Sequence, residues 1–450
     1  MKLVVVGGGI AGLAATRAAR RDAPDAEVTV LEAADRLGGK IRTELVGGAA
    51  LEWGPDSFLA SKPWARDLAA DLGLDLVPMQ PAAARAFLLL DGRLRRLPAG
   101  LAMGVPTRIG TLLGAVREGI VGPAGAGRAW ADRVLPAEPD GAMEPSVAEM
   151  ARRRLGRTWA DRVIAPLIGA VFGAPPHEIG FAHAYPGAVG ARSLIGAARR
   201  RSEAPGPPGP AFLSIRGGMG RLVEALAADL ADSHVLLRTG CPASSLREDG
   251  GRLVVETPEG DRPADALVLA VPAPAAARLI EGVASQASLH LADIRYSASA
   301  VVLLGYEPGS LGRPLDGSGY LVAPQEHAVV AACSWLPVKW PHAAAPDRVW
   351  LRAVVTNPVA LRLPDHELKG RVRGEVDAAM GTRGPAADVL LHRWDRALPI
   401  FGLGHAARIA AILRSLPSKI AVAGAYLDGL GVPDCIRTGQ EAARRVVRTG

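Results

Sequence analysis

The chain has 450 residues, a formal charge of +7 and a pI near 9.6. Hydrophobic residues at 49% and charged residues at 22% exclude global disorder, and the length allows about three units of ordinary domain size. Aromatic residues at 4% are too few for a nucleobase-stacking surface, and tight basic runs are confined to Arg152–Arg154 and Arg199–Arg201, so no nucleic-acid partner is expected.

Leu3–Val6 is a continuous apolar run and reads as a strand buried on both faces. Glycines follow, then a helix over Ile10–Arg21 and a second strand over Glu27–Glu32, which makes one βαβ unit. A helix over Pro63–Leu72 ends near Gly73. Residues 85–98 read as a hairpin, with Phe87–Leu90 and Leu94–Leu97 flanking the turn pair Asp91-Gly92. Residues 100–172 read as helical: Ile109, Leu112, Leu113, Val116 and Ile120 sit at helical spacing, and Val147–Leu155 is a further helix. The apolar face of 100–135 suits a lipid surface, a core or a hydrophobic substrate mouth, and core packing or lining that mouth is the preferred reading.

Residues 203–210, Glu-Ala-Pro-Gly-Pro-Pro-Gly-Pro, mark a loop or boundary. A helix over Gly220–Leu230 follows, then strands over His234–Arg238, Leu253–Thr257 and Ala266–Ala270, with turns at Asp249-Gly250-Gly251 and Glu259-Gly260. Val301–Tyr306, Gly319–Ala323, Ala328–Ser334 and Val349–Val355 suggest an antiparallel sheet. The chain closes with a strand over Ile420–Ala423 and a helix over Gly439–Val447. Cys241, Cys333 and Cys435 are far apart and form no CxxC pair, so neither a disulfide framework nor a metal site is expected, and a reducing, cytoplasmic setting fits. No export pattern follows Lys2, and no apolar run reaches the roughly 18 to 20 residues that span a bilayer.

The chemistry concentrates in the glycines. Gly7-x-Gly9-x-x-Gly12 follows the first strand directly, so the backbone can approach a diphosphate, and the helix start at Ile10 and Ala11 offers free N–H groups. Glu32 stands twenty residues after Gly12, at the end of the second strand, where a carboxylate accepts hydrogen bonds from ribose hydroxyls. These residues predict dinucleotide binding and leave nicotinamide and flavin forms open. A second glycine pair, Gly38-Gly39, with Arg36, Lys40 and Arg42 around it, suggests a longer diphosphate ligand held at a second place.

The closing segment, Ala423-Gly424-Ala425-Tyr426-Leu427-Asp428-Gly429-Leu430-Gly431-Val432-Pro433-Asp434-Cys435-Ile436, resembles the C-terminal flavin motif of the oxygen-dependent porphyrinogen oxidases. Gly54-Pro55-Asp56-Ser57-Phe58, Gly217-Gly218-Met219 and Leu398-Pro399 with Gly404-His405 match that family's other motifs in order. Cys333-Ser334-Trp335 and Lys339-Trp340-Pro341-His342 are similar to the actinobacterial branch, whose members oxidise coproporphyrinogen III. The chain departs from the pattern at two places. Ala170-Val171-Phe172-Gly173-Ala174 replaces Gly-Val-Tyr-Ala-Gly, and Ile400-Phe401 replaces Gln-Tyr.

The resemblance implies an α/β fold: a discontinuous Rossmann-like FAD-binding domain (1–80, 205–285, 405–450), an α+β substrate domain (81–98, 286–404) and a helical insert (99–204). It implies FAD contacts at Gly54, Pro55, Asp56, Ser57, Gly424, Gly431, Val432 and Cys435 besides the two glycine turns. The porphyrinogen is expected against Phe172, Gly173 and Ala174, with a propionate on Arg85 and weaker candidates at Arg408 and Lys339. His183 and His405 read as structural. The implied reaction is oxidation of coproporphyrinogen III to coproporphyrin III in heme biosynthesis, with oxygen as acceptor and hydrogen peroxide as by-product. Protoporphyrinogen IX is the alternative substrate. An amine oxidase or desaturase, a non-catalytic flavin-binding scaffold and a nicotinamide-dependent dehydrogenase stay open, as do contacts with a membrane surface, a second copy or a chelatase.

Overall fold

The computed structural model describes residues 1–136, 144–203, 209–233 and 235–448. A parallel sheet carries the first glycine turn. Its strands run in the order Leu236–Arg238, Glu27–Leu31, Lys2–Val6, Ala266–Leu269 and Ile420–Val422, and every pair is parallel. Because alternate side chains point to opposite faces, the central strand divides its residues between two cores. Leu3 and Val5 pack with the helices Ile10–Asp22, Gly220–Asp232 and Val432–Val447. Val4 and Val6 pack with Ala273–Ile280, Ser285–Ala292 and His405–Ser415. The strands come from three separated stretches of chain, so the sheet is α/β but not continuous in sequence.

A second sheet has seven strands, in the order Asp388–Pro399, Tyr296–Tyr306, Val349–Val355, Val330–Trp335, Gly319–Val322, Phe87–Leu90 and Arg93–Arg96. It is antiparallel except where Gly319–Val322 pairs in parallel with Phe87–Leu90. Helix Asp365–Met380 covers one face with Leu368, Val372, Val376 and Met380, spaced one turn apart. Between the hairpin and residue 203 the chain is mostly helical and packs around Leu112, Leu155, the fully buried Trp159, Ile164 and Ile168.

The expected hairpin forms. Asp91 and Gly92 adopt φ of 53° and 67°, the two positive values of a type I′ turn, although the second strand is Arg93–Arg96 rather than 94–97. The stretch 100–172 is not helical throughout, since it opens with a small strand pair, Leu101–Ala102 with Val105–Pro106, turning at Met103 and Gly104. The closing helix begins at Val432, seven residues before the expected start, because Gly431 caps it and Pro433 fits its first turn. Much of the expected loop at 203–210, and His234, lie outside the described residues. On helix Ile109–Arg117, Leu112 and Ala115 are buried while Ile109 and Leu113 are exposed. Among the described residues no helix is long and apolar enough to cross a membrane, and no group of His, Cys, Asp or Glu could hold a metal ion. The run at Arg152–Arg154 is not a surface patch: Arg154 turns inward to the fully buried Asp132.

Candidate active site

The two glycine turns lie against each other. Gly38 donates its N–H to the Gly8 carbonyl at 2.8 Å, and Gly9 bridges Gly38. Gly7 has a φ of +109°, and a Cβ there would meet the Ala270 carbonyl at 2.5 Å. A Cβ on Gly12 would run into the Gly7 carbonyl oxygen, and one on Gly39 would come within 3.2 Å of the Gly9 Cα. Bare backbone therefore faces bare backbone at the start of helix Ile10–Asp22, where Ile10 and Ala11 hold the unsatisfied N–H groups of the first turn. Glu32 accepts from the N–H of Gly8 at 2.7 Å and of Ala34 at 2.8 Å. Each carboxylate oxygen keeps a further lone pair for a hydroxyl. Arg36 does not reach outward: it donates to the carbonyls of Leu37, Gly39 and Ile41 and so stiffens the second turn.

Lys40 is half-buried, with its ammonium 5.4 Å from the Tyr296 ring centre, and burial lowers it to about 8. Arg42 reaches His392 at 3.5 Å, and His392 stands edge-on to Trp394 with centres 4.3 Å apart. The Trp394 indole donates to the Trp53 carbonyl at 2.8 Å.

The 54–57 loop is locked from two sides. A Cβ on Gly54 would run into the Lys40 carbonyl, and the Gly54 carbonyl accepts from Arg352 at 2.6 Å. Buried Asp56 is bonded by the Lys339 ammonium and by Ser57 Oγ at 2.8 Å, and its carbonyl takes Ser214 Oγ at 2.9 Å. Burial alone would raise the Asp56 carboxyl. Lys339 and Arg352 outweigh it and hold the group well below the usual carboxylate range. Lys339, expected as a propionate partner, is thus taken up by Asp56. Behind Trp53, the buried Glu52 accepts from the Met219 N–H at 2.6 Å and from Thr43 Oγ at 2.9 Å. Thr43 Oγ in turn accepts the Gly220 N–H at 2.7 Å, so the pair caps helix Gly220–Asp232. Burial pushes Glu52 up to about 7.

At the other end, Gly424 has a φ of +133° and donates to Thr438 Oγ at 3.1 Å. Gly431 caps the closing helix. Val432 is buried there, and burial pushes Cys435 up to about 12, which makes it an inert thiol. Asp434, also buried, is paired with Lys62. Asp428 is turned outward to Arg437.

Phe172 ends helix Ala165–Phe172, and Gly173 follows with a φ of +66°. A Cβ at 173 would come within 2.9 Å of Ser297 Oγ, so glycine fits this left-handed position. Ala174 is buried behind it. Phe172 stands edge-on to His183 and to the fully buried Phe401, with centres 6.1 and 6.4 Å apart. His183 stacks on Phe401 at 3.6 Å, and His405 donates from Nε2 to the Tyr426 carbonyl at 2.8 Å. This cluster joins the insert to the closing glycine motif. Arg85 is not in it: its half-exposed guanidinium lies 3.8 Å from Asp316, at the start of the seven-stranded sheet's hairpin.

A family model described as flavin containing amine oxidoreductase matches residues 10–447. The chain belongs to this family. Among its relatives are coproporphyrinogen III oxidases of Mycobacterium bovis, at 32% identity, and of Bacillus subtilis, at 30%, each covering 98% of this chain and 96% of the relative. The solved structure of a protein from Exiguobacterium sp. 255-15 assigned to the protoporphyrinogen oxidases superposes with a TM-score of 0.87 and 28% identity, over 100% of this chain and 99% of that one.

As a member of the flavin-containing amine oxidoreductases, the chain is an FAD-dependent oxidoreductase. Its residues fit that cofactor. The facing glycine turns leave room for a diphosphate, and Glu32 keeps lone pairs for a ribose. The phenol of buried Tyr426 has no partner among the described residues. Sequence reasoning missed Lys62, Glu52 and Thr43. A signal for Lys62 was available: in a chain with six lysines against forty-six arginines, three of the six, Lys40, Lys62 and Lys339, stand at this site. Lysine has one compact charge on a slender stem, which suits buried single-carboxylate pairing better than a guanidinium fork.

Proposed function

We propose that the chain oxidises coproporphyrinogen III to coproporphyrin III, with molecular oxygen as acceptor and hydrogen peroxide as by-product. The observation that carries this reading is the end-to-end identity with coproporphyrinogen III oxidases, 32% and 30% over 98% of the chain. Bound FAD supplies a two-electron hydride acceptor. The protein's own task is to place and orient. The turns at Gly7, Gly9 and Gly12 and at Gly38 and Gly39 hold the diphosphate, with Glu32 on the ribose. Gly54, Pro55, Asp56 and Ser57, clamped by Lys339 and Arg352, set the edge of the flavin, as do Gly424, Gly431 and Val432 from the closing motif. Phe172, Gly173 and Ala174 give the macrocycle an apolar wall, and Arg85 pairs with a propionate through its fork of donors. Aromatising the macrocycle removes six electrons and six protons, so it takes three rounds of hydrogen removal with the ring held in place. In this reading residues 1–80, 205–285 and 405–450 form the FAD unit, 81–98 and 286–404 the substrate unit, and 99–204 the insert that closes the cavity.

The test is to incubate the purified flavoprotein in air with coproporphyrinogen III and, separately, protoporphyrinogen IX, following porphyrin fluorescence and peroxide. Faster turnover of coproporphyrinogen III, with peroxide formed, is expected. A faster rate with protoporphyrinogen IX would replace the substrate, and no rate above autoxidation with either would overturn the reading.

A further inference from the structure

The cluster beside Gly173 contains four rings, and three of them have no polar atom to offer. Phe172 and Phe401 are hydrocarbon. His405 has committed Nε2 to the Tyr426 carbonyl, and its Nδ1 is buried with no partner among the described residues. His183 differs. It stacks on Phe401 at 3.6 Å with an interplanar angle of 26°, stands edge-on to Phe172, and has its centre 5.8 Å from that of His405. Its ring nitrogens have no protein hydrogen-bond partner among the described residues, and unlike His405 Nδ1 neither is sealed inside. The ring is fixed by packing and its edge is left free, which is the disposition of a group meant for a ligand.

The charged groups that face it are Lys62 from the loop before helix Pro63–Asp71, Asp428 from the closing motif and His405 from helix His405–Ser415. Burial, then His405, lower His183 to about 4, so the ring is a neutral imidazole at physiological pH. A neutral imidazole accepts a hydrogen bond at one nitrogen and donates at the other. An apolar wall with a single such acceptor suits a flat macrocycle whose polar groups, apart from its carboxylates, are pyrrolic N–H donors.

We propose that His183 contacts the tetrapyrrole, its free ring nitrogen accepting the hydrogen bond of a pyrrolic N–H and then its proton. This rests on the function proposed above. In each round the substrate carbon loses a hydride to the flavin, leaving a cationic ring. The pyrrolic N–H bond then breaks, its electron pair stays in the macrocycle, and the proton forms a new N–H bond on the imidazole and passes from there to water. Two hydrogens leave the substrate in each round and His183 is restored. Because the product keeps two of its four pyrrolic N–H bonds, one meso proton shifts to a ring nitrogen by tautomerisation, so the fourth meso carbon supplies the third proton.

The test compares His183→Phe, which keeps the stack and removes the nitrogens, with His183→Gln, which keeps an acceptor that cannot take the proton. Coproporphyrin III binding, read by fluorescence titration of the flavin-loaded protein, is expected to weaken about tenfold in H183F and by no more than about twofold in H183Q. Turnover is expected to fall about 10²-fold in both, with flavin content and melting temperature unchanged. Wild-type binding and turnover in H183F would overturn the proposal, as would an equal loss of flavin and thermal stability. If the wild-type protein turns over neither porphyrinogen, the function fails separately. The binding titration then decides the contact alone: weakening in H183F keeps it, and no change removes it.

Discussion

Lys62 Nζ lies 2.6 and 2.7 Å from the two carboxylate oxygens of Asp434, whose side chain is only 7% exposed in the first turn of the closing helix. The ammonium therefore ties the loop after Ser57 to the motif that begins at Gly424. Replacing Lys62 by methionine leaves a buried carboxylate without its cation. The helix N-terminus compensates part of that loss, and Lys62 itself is partly solvated, so the expected cost is about 2 kcal/mol. Urea unfolding of the flavin-loaded protein measures it. The double variant Lys62→Met with Asp434→Asn should recover most of the loss, and strict additivity would show that the two residues do not couple.

Glu52 gives the protein a pH dependence of a definite sign. Its carboxyl is raised from the ordinary glutamate value to about 7, mainly by burial. A raised acid favours the protonated folded state, so its contribution is complete below the unfolded value and is lost as pH climbs through about 7. Glu52→Gln keeps an oxygen for the Met219 N–H and removes the titration. Wild type should lose of order 2 kcal/mol relative to this variant between about pH 4.5 and 8. Parallel stability curves for the two proteins would contradict the assignment.

Gly439 sits in the middle of a helix, where alanine is ordinarily better by about 1 kcal/mol. Here a Cβ would run into the Ala11 carbonyl oxygen of the facing helix. Gly439→Ala should instead destabilise by about 1–3 kcal/mol and lower the flavin content, because it separates the helix that starts at the first glycine turn from the closing helix that starts after Gly431. Calorimetry and the visible spectrum read both effects. A stabilised variant would mean that the two helices yield freely.

Arg85 lies half-exposed beside Asp316, so its removal should change stability by no more than about 0.5 kcal/mol. If it pairs with a propionate in ground state and transition state alike, Arg85→Ala raises KM several-fold and leaves kcat unchanged. Steady-state kinetics with coproporphyrinogen III decide this, and an unchanged KM removes Arg85 from the substrate site.

The two glycine turns were legible because only glycine permits the close approaches at Gly7, Gly12 and Gly39, and the strand before the first is continuously apolar. The Asp91-Gly92 hairpin was legible for a similar reason: its turn needs two positive φ angles. Helix Asp365–Met380 was not legible, since charged residues crowd its sequence and its apolar residues recur only once per turn. Strand Asp388–Pro399 was hidden in the same way by His392, Arg393, Asp395 and Arg396. At the site, the glycine turns could be read locally. The pairs Lys62–Asp434, Lys339–Asp56 and Glu52–Met219 join residues 372, 283 and 167 positions apart, and no local pattern announces such partners.

The parallel sheet has one further consequence, for the order of events during synthesis. Strand Ile420–Val422 adds to Ala266–Leu269, and the motif at Gly424 and the helix from Val432 follow it. A ribosome must therefore deliver some 420 residues before the parallel sheet has all its strands. The first βαβ unit emerges at once but waits with one face of its sheet incomplete. In the reading proposed above, which gives the closing motif a share of the flavin, cofactor capture is a late event in the life of the nascent chain. A premature stop that removes only the last thirty residues leaves a polypeptide with its first glycine turn intact but without the strand completed at Val422, the Gly424 motif and the closing helix.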